Sequence, residues 1–463
     1  MIPKRLFLAA LAAALVLPRE AAAQVIAFRN VNVVPMDRNR VLERQTVIVR
    51  EGRISQVGPA GRIEIPAGSL NLDSTGKYLM PGLAEMHGHL PAPNSPPELV
   101  EHIMFLYLAN GVTTVRGMLG YPSALQHRDA IASGRILGPR LYVAGPGFSG
   151  NTVKTVEQAA QMVRDQKTAG YDLLKILEGL PPEVYDAIAS TAKQVKIDFA
   201  GHVPNDVGVR RAIAAGQRSI DHLDNYLEAL EADNSPIRNA DAQTRARDLP
   251  FYADERKIAG LARLTRQAGV WNIPTMALWE IFLNDASGDE LRKTMPETRY
   301  MPRSMVDQWT QRKNTMLQPG QLHMGFAVGS KTGARVIELR KKMLQGLREA
   351  GARIALGTDS PQVFSVPGFS IHREMQAMVA VGFTPFEVLQ CGTRNVAEYF
   401  GMTAETGTVE AGKRADLILL DANPLTDIAN LTRRAGVAVA GRWLPQHEIQ
   451  ERLEKLAAAA AKM

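Results

Sequence analysis

Apolar and polar positions alternate in short runs near both ends of the chain. Between residues 24 and 80 the alternating runs are Val25–Val34, Gln45–Arg50 and Arg53–Val57. The same texture returns between residues 402 and 450, in Ala415–Leu420 and Ala435–Val439. Period-two alternation with Gly and Pro between the runs is typical of antiparallel strands. We therefore predict one small β-sandwich domain that is built from the N-terminal and C-terminal segments together.

The middle of the chain, residues 81–401, alternates strand-like apolar runs with amphipathic helical patterns. The eight strand-like runs are Leu83–Leu90, Val112–Met118, Arg140–Ala144, Leu173–Leu177, Ile197–His202, Ser219–Leu223, Val270–Leu278 and Arg353–Thr358. The clearest helical patterns between them are Val156–Ala169, Pro182–Val195 and Val207–Ala215. Eight strand–helix units predict an α/β fold of the (β/α)8 TIM barrel type, in which sites lie at the C-terminal ends of the strands.

Two stretches are longer than the connections of a minimal barrel. They fall near residues 227–250 and 280–330. Long insertions of this kind usually form lids or substrate walls, and the alternative is an excursion that contacts another subunit. Residues 451–463 are expected to form a helical tail.

The first 23 residues are interpreted as a targeting segment. Lys4 and Arg5 precede the apolar stretch Leu6–Leu17, and Ala21, Ala22 and Ala23 provide small residues for cleavage. This order is typical of a secretory signal peptide, and the stretch is too short to span a bilayer. A membrane-anchoring or buried N-terminal helix is the alternative. We expect cleavage, a mature chain that starts near Gln24, a periplasmic or secreted location and no stable membrane anchor.

Composition narrows the classes of function. A chain of 463 residues with 45% hydrophobic content can bury a large core and form more than one domain. The formal net charge is +7, but the basic residues are scattered among acidic ones, so a nucleic-acid partner is not expected. Cys391 is the only cysteine, which excludes an intrachain disulfide framework. It lies in a helical pattern, Pro385–Phe400, and is interpreted as a small core residue.

The strongest chemical signal is a set of polar residues at or near the ends of the predicted strands of the barrel. They are His87, His89, Lys175, His202, His222 and Asp359. Polar and ionisable groups are costly at the ends of buried strands unless they are paired or bind a metal ion. A lone histidine is more often a hydrogen-bonded core residue, and His102, His127, His323 and His447 are interpreted in that way. His372, which opens the helical pattern after the eighth strand, stays ambiguous.

The spacing of these residues suits two metal ions. His87 and His89 lie two apart on a strand, so both side chains point to one face and can hold one ion. His202 and His222 on neighbouring strands can hold a second. Lys175 lies within an apolar strand where an ammonium is disfavoured, whereas a lysine carboxylated by CO2 offers two oxygens that can bridge two cations. Asp359 is placed to bind a metal ion and to handle a proton.

With these residues the chain resembles the amidohydrolase superfamily, in its imidazolonepropionase-like and prolidase-like branch. The segments that carry the resemblance are Pro81–Leu83 with His87–His89, Gly111–Arg116, Ala200–Pro204, Ile220–His222, Gly357–Asp359 and the run Gly407–Asp416. The resemblance implies that His87 and His89 bind the buried ion and that His202 and His222 bind the exposed ion. It further implies that Lys175 bridges the ions and that Asp359 is both a ligand and the proton shuttle.

One position distinguishes reactions within this branch. Deaminases and ring-opening members that the chain resembles usually carry a glutamate three residues after the histidine of the fifth strand, and here that residue is Asn205. Together with Lys175, this favours hydrolysis of an amide bond in a dipeptide, an N-acyl amino acid or an aryl amide. A lactone, ester or phosphotriester hydrolase is the alternative enzyme. A non-catalytic binding protein on a barrel scaffold is the alternative of another class.

Two residues are candidates for contact with the substrate. Tyr226 follows the histidine of the sixth strand by four residues, and relatives often use a tyrosine near this place to hold substrate. Arg116 ends the second strand, where it can meet a substrate carboxylate or form an ion pair within the barrel. We expect a small-molecule substrate, two divalent metal ions of the zinc type bridged by N6-carboxylated Lys175, and a homo-oligomer.

Overall fold

The computed structural model describes residues 24–323 and 326–463. The predicted signal segment lies outside the described residues. Within them, no helix combines the length and the apolar character that crossing a membrane requires.

The described residues form eighteen strands. They are β1 Ile26–Val33, β2 Leu42–Arg50, β3 Arg53–Pro59, β4 Leu70–Asp73, β5 Tyr78–Pro81, β6 Leu83–Gly88, β7 Val112–Gly117, β8 Arg140–Val143, β9 Leu173–Ile176, β10 Asp198–Gly201, β11 Ser219–Asp221, β12 Trp271–Ile273, β13 Leu322–His323, β14 Phe326–Ala327, β15 Arg353–Ile354, β16 Leu417–Leu420, β17 Arg434–Val439 and β18 Arg442–Pro445.

Sixteen α-helices are present in the same residues. They are α1 Pro97–Ala109, α2 Pro122–Ala132, α3 Val156–Ala169, α4 Pro182–Val195, α5 Gly208–Ala215, α6 Tyr226–Ala229, α7 Ala242–Asp248, α8 Ile258–Ala268, α9 Met276–Leu283, α10 Gly288–Thr294, α11 Arg303–Met316, α12 Lys331–Glu349, α13 Phe369–Ala380, α14 Pro385–Gly392, α15 Arg394–Tyr399 and α16 Gln446–Ala460. Short 3-10 turns follow α7 and precede α8, α11 and β17.

One sheet joins the two ends of the chain, as predicted, but it is mixed instead of antiparallel, because β4 and β5 pair with β1 in parallel. Its hydrogen-bonded order is β18-β17-β16-β5-β1-β2-β3, and β4 pairs with β1. The junction is the antiparallel pair of β5 and β16, in which Met80 lies opposite Ile418. The inward residues of these strands, such as Phe28 and Leu417, form an apolar cluster of their own. The N-terminal and C-terminal segments therefore fold as one unit.

The eight strands predicted in the middle of the chain are all present, and they run parallel. They pair as β6-β7-β8 and as β9-β10-β11-β12-β15. Backbone contacts also join the two groups: Ala144 bridges Leu173, and Gly88 bridges Ser360. At the second junction the Asp359 N–H donates to the carbonyl oxygen of His87 at 2.7 Å. The two groups of strands therefore contact each other at both of these junctions.

The helices between these strands begin and end where local chemistry directs. The side chain of Thr155 accepts a hydrogen bond from the N–H of Gln158 and caps α3. Gly170, at φ 87°, ends that helix in the left-handed region. Helices α3 and α4 have the predicted bounds, and α5 begins one residue later than predicted. Amphipathic periodicity and these end signals fixed the boundaries.

The structure corrects several predicted elements. The predicted seventh strand, Val270–Leu278, ends at Ile273, and the chain turns at Thr275 (φ 47°) into α9. An apolar run without clear periodicity suits either element, so the sequence did not reveal the turn. The eighth strand is regular only over Arg353–Ile354, although the carbonyl of Leu356 still accepts a hydrogen bond from the N–H of Met86. The helical pattern around Cys391 forms two helices, α14 and α15, that meet at Thr393, and the C-terminal helix starts at Gln446.

Candidate metal centre

The six predicted ligands converge at the C-terminal ends of the parallel strands. Four imidazole rings form a row: the centroids of His89 and His87 are 5.4 Å apart, those of His87 and His222 4.5 Å, and those of His222 and His202 4.7 Å. The strand ends place them there. His87 lies near the end of β6 and His89 directly follows that strand, while His202 and His222 directly follow β10 and β11, in which only Asp198 is exposed. The row of rings is therefore a consequence of the parallel sheet.

Asp359 lies against three of these imidazoles. Its Oδ1 is 2.5 Å from Nε2 of His89 and 3.4 Å from Nε2 of His87, and its Oδ2 is 3.8 Å from Nε2 of His222. Burial by itself would raise the pKa of Asp359, but its contacts with His87, His89 and His222, which include the hydrogen bond with His89, hold that pKa well below its usual value. His87, His89 and Asp359 therefore present a buried carboxylate and ring nitrogens that can share one cation.

The two inner histidines offer nitrogen lone pairs. Burial lowers the pKa of His87 to about 3 and the pKa of His222 well below its usual value, so both rings are neutral. Nδ1 of His222 lies 2.8 Å from the hydroxyl of Thr275, while its buried Nε2 has no hydrogen-bond partner in the described part of the chain. An unpaired buried nitrogen beside a carboxylate is costly unless a cation binds it. The site therefore fits a metal ion.

Lys175 is the buried amine of the centre. It is 1% exposed, and its Nζ lies 3.2 Å from Nε2 of His87. Burial lowers the pKa of Lys175, although the nearby carboxylates of Asp221 and Asp359 oppose that shift. Gly201 makes room for the side chain: it has φ 120°, and a Cβ there would lie 2.9 Å from Cδ of Lys175. Position 201 on the neighbouring strand β10 therefore accepts no larger residue without displacing Lys175 or the backbone of Ile176.

His202 lies at the outer side of the row. Its Nδ1 lies 2.7 Å from Oδ2 of Asp224, and Glu178 is close enough that the three side chains form a second group able to hold a cation. Burial raises the pKa of Glu178 to about 7, and the charge of Asp224 adds to this effect. The structure therefore surrounds His202 with carboxylates as well as with His222.

The predicted substrate contacts are wrong for Arg116. The residue is fully buried, and its guanidinium donates to both carboxylate oxygens of Asp221 at 3.2 and 3.1 Å, to the hydroxyls of Ser219 and Tyr399, and to the carbonyl of Met86. No nitrogen of Arg116 remains for a substrate carboxylate. The alternative interpretation, an ion pair within the parallel strands, is the arrangement that the structure has.

The prediction for Tyr226 is wrong for a similar reason. Asn225 has φ 59°, so the chain reverses and α6 begins with Tyr226 turned inward. The tyrosine is 1% exposed, and its hydroxyl lies 2.9 Å from both Asn272 Oδ1 and Thr265 Oγ1. Tyr226 therefore packs beneath the strand end instead of facing the metal ligands. The ambiguous His372 is a bracing residue: its Nε2 lies 3.2 Å from Asn110 Oδ1.

Acidic residues that the sequence analysis passed over support the ligands. Nδ1 of His87 lies 2.8 Å from Oδ2 of Asp221, although off the direction of an ideal hydrogen bond. A carboxylate in this place favours the proton on Nδ1 and leaves Nε2 as the acceptor. Glu85 accepts hydrogen bonds from the N–H groups of His87 and Thr358 at 2.9 and 2.7 Å. The sequence contains a signal for these acidic residues, because Asp221, Asp224 and Glu85 lie within two positions of a predicted histidine ligand.

A cavity of about 870 Å³ opens beside the outer histidine. Asp224 and Asn205 border it on the side of the strand ends. The segment of residues 227–250 supplies further wall residues, among them Leu249, and Phe326 comes from the second predicted insertion. Both insertions therefore wall a space next to the candidate centre.

Comparison with known proteins gives one consistent family. The sequence pattern of the Amidohydrolase family matches residues 78–444 of this chain. An imidazolonepropionase from Agrobacterium fabrum is 26% identical over 413 residues, which are 83% of this chain and 86% of that protein. An ochratoxinase from Aspergillus niger is 24% identical over 416 residues, which are 76% and 71% of the two chains.

The fold is also shared with solved structures. A Xaa-Pro dipeptidase with methionine bound in its active site superposes with a TM-score of 0.66 at 20% sequence identity. The superposition covers 91% of this chain and all of the dipeptidase chain. At this identity the similarity establishes a common architecture.

The buried ion pair beneath the centre yields a stability prediction. Asp221→Ala leaves the guanidinium of Arg116 buried without a carboxylate, so we expect the free energy of unfolding to fall by about 3–5 kcal/mol. The measurement is urea denaturation followed by circular dichroism. The control is Asp186→Ala, which removes an exposed pair with Arg211 and should cost less than about 1 kcal/mol. Equal losses in the two variants would contradict the assigned role of Asp221.

Proposed function

The chain belongs to the amidohydrolase family, and on that premise we propose that it hydrolyses an amide bond of a small substrate at a centre of two divalent metal ions. Membership makes it an enzyme of the hydrolase class. The observation that carries the proposal is the row of four imidazoles, because it surrounds one carboxylate and one buried amine. We also propose that the eight parallel strands close into a (β/α)8 barrel and that the terminal sheet is a small β-sandwich.

We assign the first ion to His87, His89 and Asp359 and the second to His202 and His222. The neutral rings of His87 and His222 support this assignment, since each presents a buried nitrogen toward Asp359. Nitrogen ligands with a carboxylate suit zinc, which is the ion we propose. When bound, the ions would lower the pKa of a water molecule and polarise the substrate carbonyl.

Lys175 is proposed to be the bridge, as an N6-carboxylated residue. Carboxylation joins the neutral amine nitrogen to the carbon of CO2 and releases one proton, so it needs an uncharged lysine. The burial of Lys175 and its lowered pKa support that state. The resulting carbamate carries two oxygens, and a negative charge there replaces the unfavourable buried ammonium.

Asp359 is the proposed catalytic proton carrier. Its pKa lies well below the usual value beside the neighbouring histidines, so the group is ionised at neutral pH. We propose that it accepts the proton of the attacking water and passes it to the leaving nitrogen. Asn205 supports hydrolysis over deamination, because a carboxamide cannot act as the acid that deaminases of this branch use. It lines the cavity, and its Oδ1 lies 3.3 Å from Nδ2 of Asn225.

We propose that the mature enzyme acts in the periplasm or outside the cell. The basis is the order of charged, apolar and small residues in residues 1–23. Expression of the full chain in a bacterial host should give a mature protein that begins near Gln24, measured by intact-mass spectrometry of the periplasmic fraction. A product that keeps residues 1–23 and stays in the cytoplasm would contradict this assignment.

The reaction type is tested by a substrate screen. The zinc-loaded enzyme should hydrolyse members of a library of dipeptides and N-acyl amino acids, followed by chromatography, and should lose activity on chelation. Asp359→Asn should lower kcat by at least about 10²–10⁴-fold, since it removes the proton acceptor. Faster turnover of lactones, esters or phosphotriesters, or ammonia release from purines or guanidines, would contradict amide hydrolysis.

The bridge is tested by chemical rescue. Lys175→Ala should fold but lose metal ions and activity, because no other residue of β9 can span two cations. Added acetate or propionate should enter the vacated space and restore part of both metal content and activity, with chloride as the ionic-strength control. A variant that keeps its metal ions and activity without any carboxylate would rule out the bridge.

A further inference from the structure

The cavity beside His202 has walls of two kinds. Trp279 and Phe326 contribute an aromatic side, with their ring centroids 6.3 Å apart. The other side of the cavity is acidic and carries four carboxylates, those of Glu178, Asp206, Asp224 and Glu228. The cavity is therefore both apolar and acidic.

The charge of Arg340 reaches Asp224 and Glu228, but among the described residues no arginine of the cavity forms an ion pair within 4.0 Å with these four carboxylates. Arg245 is bound to Glu231, with nitrogen–oxygen distances of 3.2 and 3.1 Å. Among the described residues, neither Glu178 nor Glu228 has an ion-pair partner within 4.0 Å. Asp224 has only the ring of His202. Neighbouring carboxylates that lack an ion pair repel one another, so this wall favours a positively charged ligand.

Arg340 is the second basic residue of the cavity, and its unpaired nitrogen gives separate evidence for a bound molecule. It is 6% exposed and lines the cavity. Its guanidinium lies 3.7 Å from the ring centroid of Trp279, and Nη2 donates to the carbonyl of His222. Nε has no hydrogen-bond partner among the described residues. The guanidinium thus keeps unused donors for an oxygen of a bound molecule.

Building on the proposed amide hydrolysis, we propose that this cavity selects a substrate with a positively charged ammonium or guanidinium group, as in an amide of a basic amino acid. Glu178 and Glu228 hold the cation. The aliphatic part of the side chain packs against Trp279 and Phe326, and an oxygen of the substrate accepts a hydrogen bond from Arg340.

Three physical effects favour such a substrate in this place. A cation between the carboxylates replaces their repulsion with charge-assisted hydrogen bonds. The aromatic side of the cavity, Trp279 and Phe326, removes the aliphatic part of the substrate side chain from water. An acidic group in the same position would face the carboxylates of Glu178, Asp224 and Glu228. The walls therefore discriminate by the sign of charge.

The test compares substrates that differ only in charge. Arginine and citrulline have nearly the same shape, but citrulline is neutral, so Ala-Arg is compared with Ala-citrulline and Arg-Ala with citrulline-Ala. In at least one pair, we expect the arginine dipeptide to have a kcat/KM about 10- to 100-fold higher, as hydrogen bonds to charged groups allow. Free arginine should also bind the zinc-loaded enzyme more tightly than citrulline in calorimetry.

Variants assign the preference to the two glutamates. Glu178→Gln and Glu228→Gln should each narrow the arginine-to-citrulline ratio and weaken arginine binding, with folding checked by thermal unfolding. Glu451→Gln is the matched control, because it removes the same charge from an exposed position of α16 and should leave the ratio unchanged.

The outcomes separate this inference from the proposed function. Equal hydrolysis of arginine and citrulline dipeptides, with equal binding, would overturn the cation subsite and leave amide hydrolysis intact. A third metal ion per chain that disappears in Glu178→Gln would also overturn it, since the carboxylates would then hold a metal ion. Failure to cleave any amide would contradict the proposed function, and arginine binding would still decide the subsite.

Discussion

The contact of one buried carboxylate with three imidazoles organises the centre of this molecule. Asp359 reaches His87 and His89 at the end of β6 and His222 after β11, and these three segments are far apart in the chain. The neutral rings of His87 and His222 offer lone pairs where the buried carboxylate of Asp359 needs positive charge, so their burial side by side is costly. A metal ion satisfies both at once. The proposed metal ions would therefore compensate the cost of burying a carboxylate beside unpaired ring nitrogens.

A layer of buried polar groups beneath the candidate ligands holds them in one geometry. Asp221 lies between Arg116 and His87, and Glu85 ties the backbone of His87 to that of Thr358, beside Asp359. Each support links two strand ends, so a shift of one strand would break contacts at another. The ligands are therefore held by a network with few free rotations, which lowers the reorganisation needed when a cation binds.

The sequence was sufficient for the parallel strands and for the polar residues that meet at their C-terminal ends, and the reason is physical. An imidazole or an amine at the end of an apolar run is conspicuous, and parallel strands bring their C-terminal ends together without further information. Tyr226 and Arg116 show the limit. Their residue types suit substrate binding, but the direction of Tyr226 depends on a left-handed turn at Asn225, and the partners of Arg116 come from β11 and α15. The acidic cavity was hidden similarly, because Glu178 and Glu228 meet only after folding.

The proposed centre consists of two cations that share Lys175, and anomalous X-ray diffraction at the zinc edge tests their number and positions directly. Crystals of the zinc-loaded enzyme should show two peaks, one beside His87, His89 and Asp359 and the other beside His202 and His222. Electron density for a carboxylate on Nζ of Lys175 should lie between them. A single peak, an unmodified lysine, or a second peak bound by Glu178 and Asp224 would contradict the account.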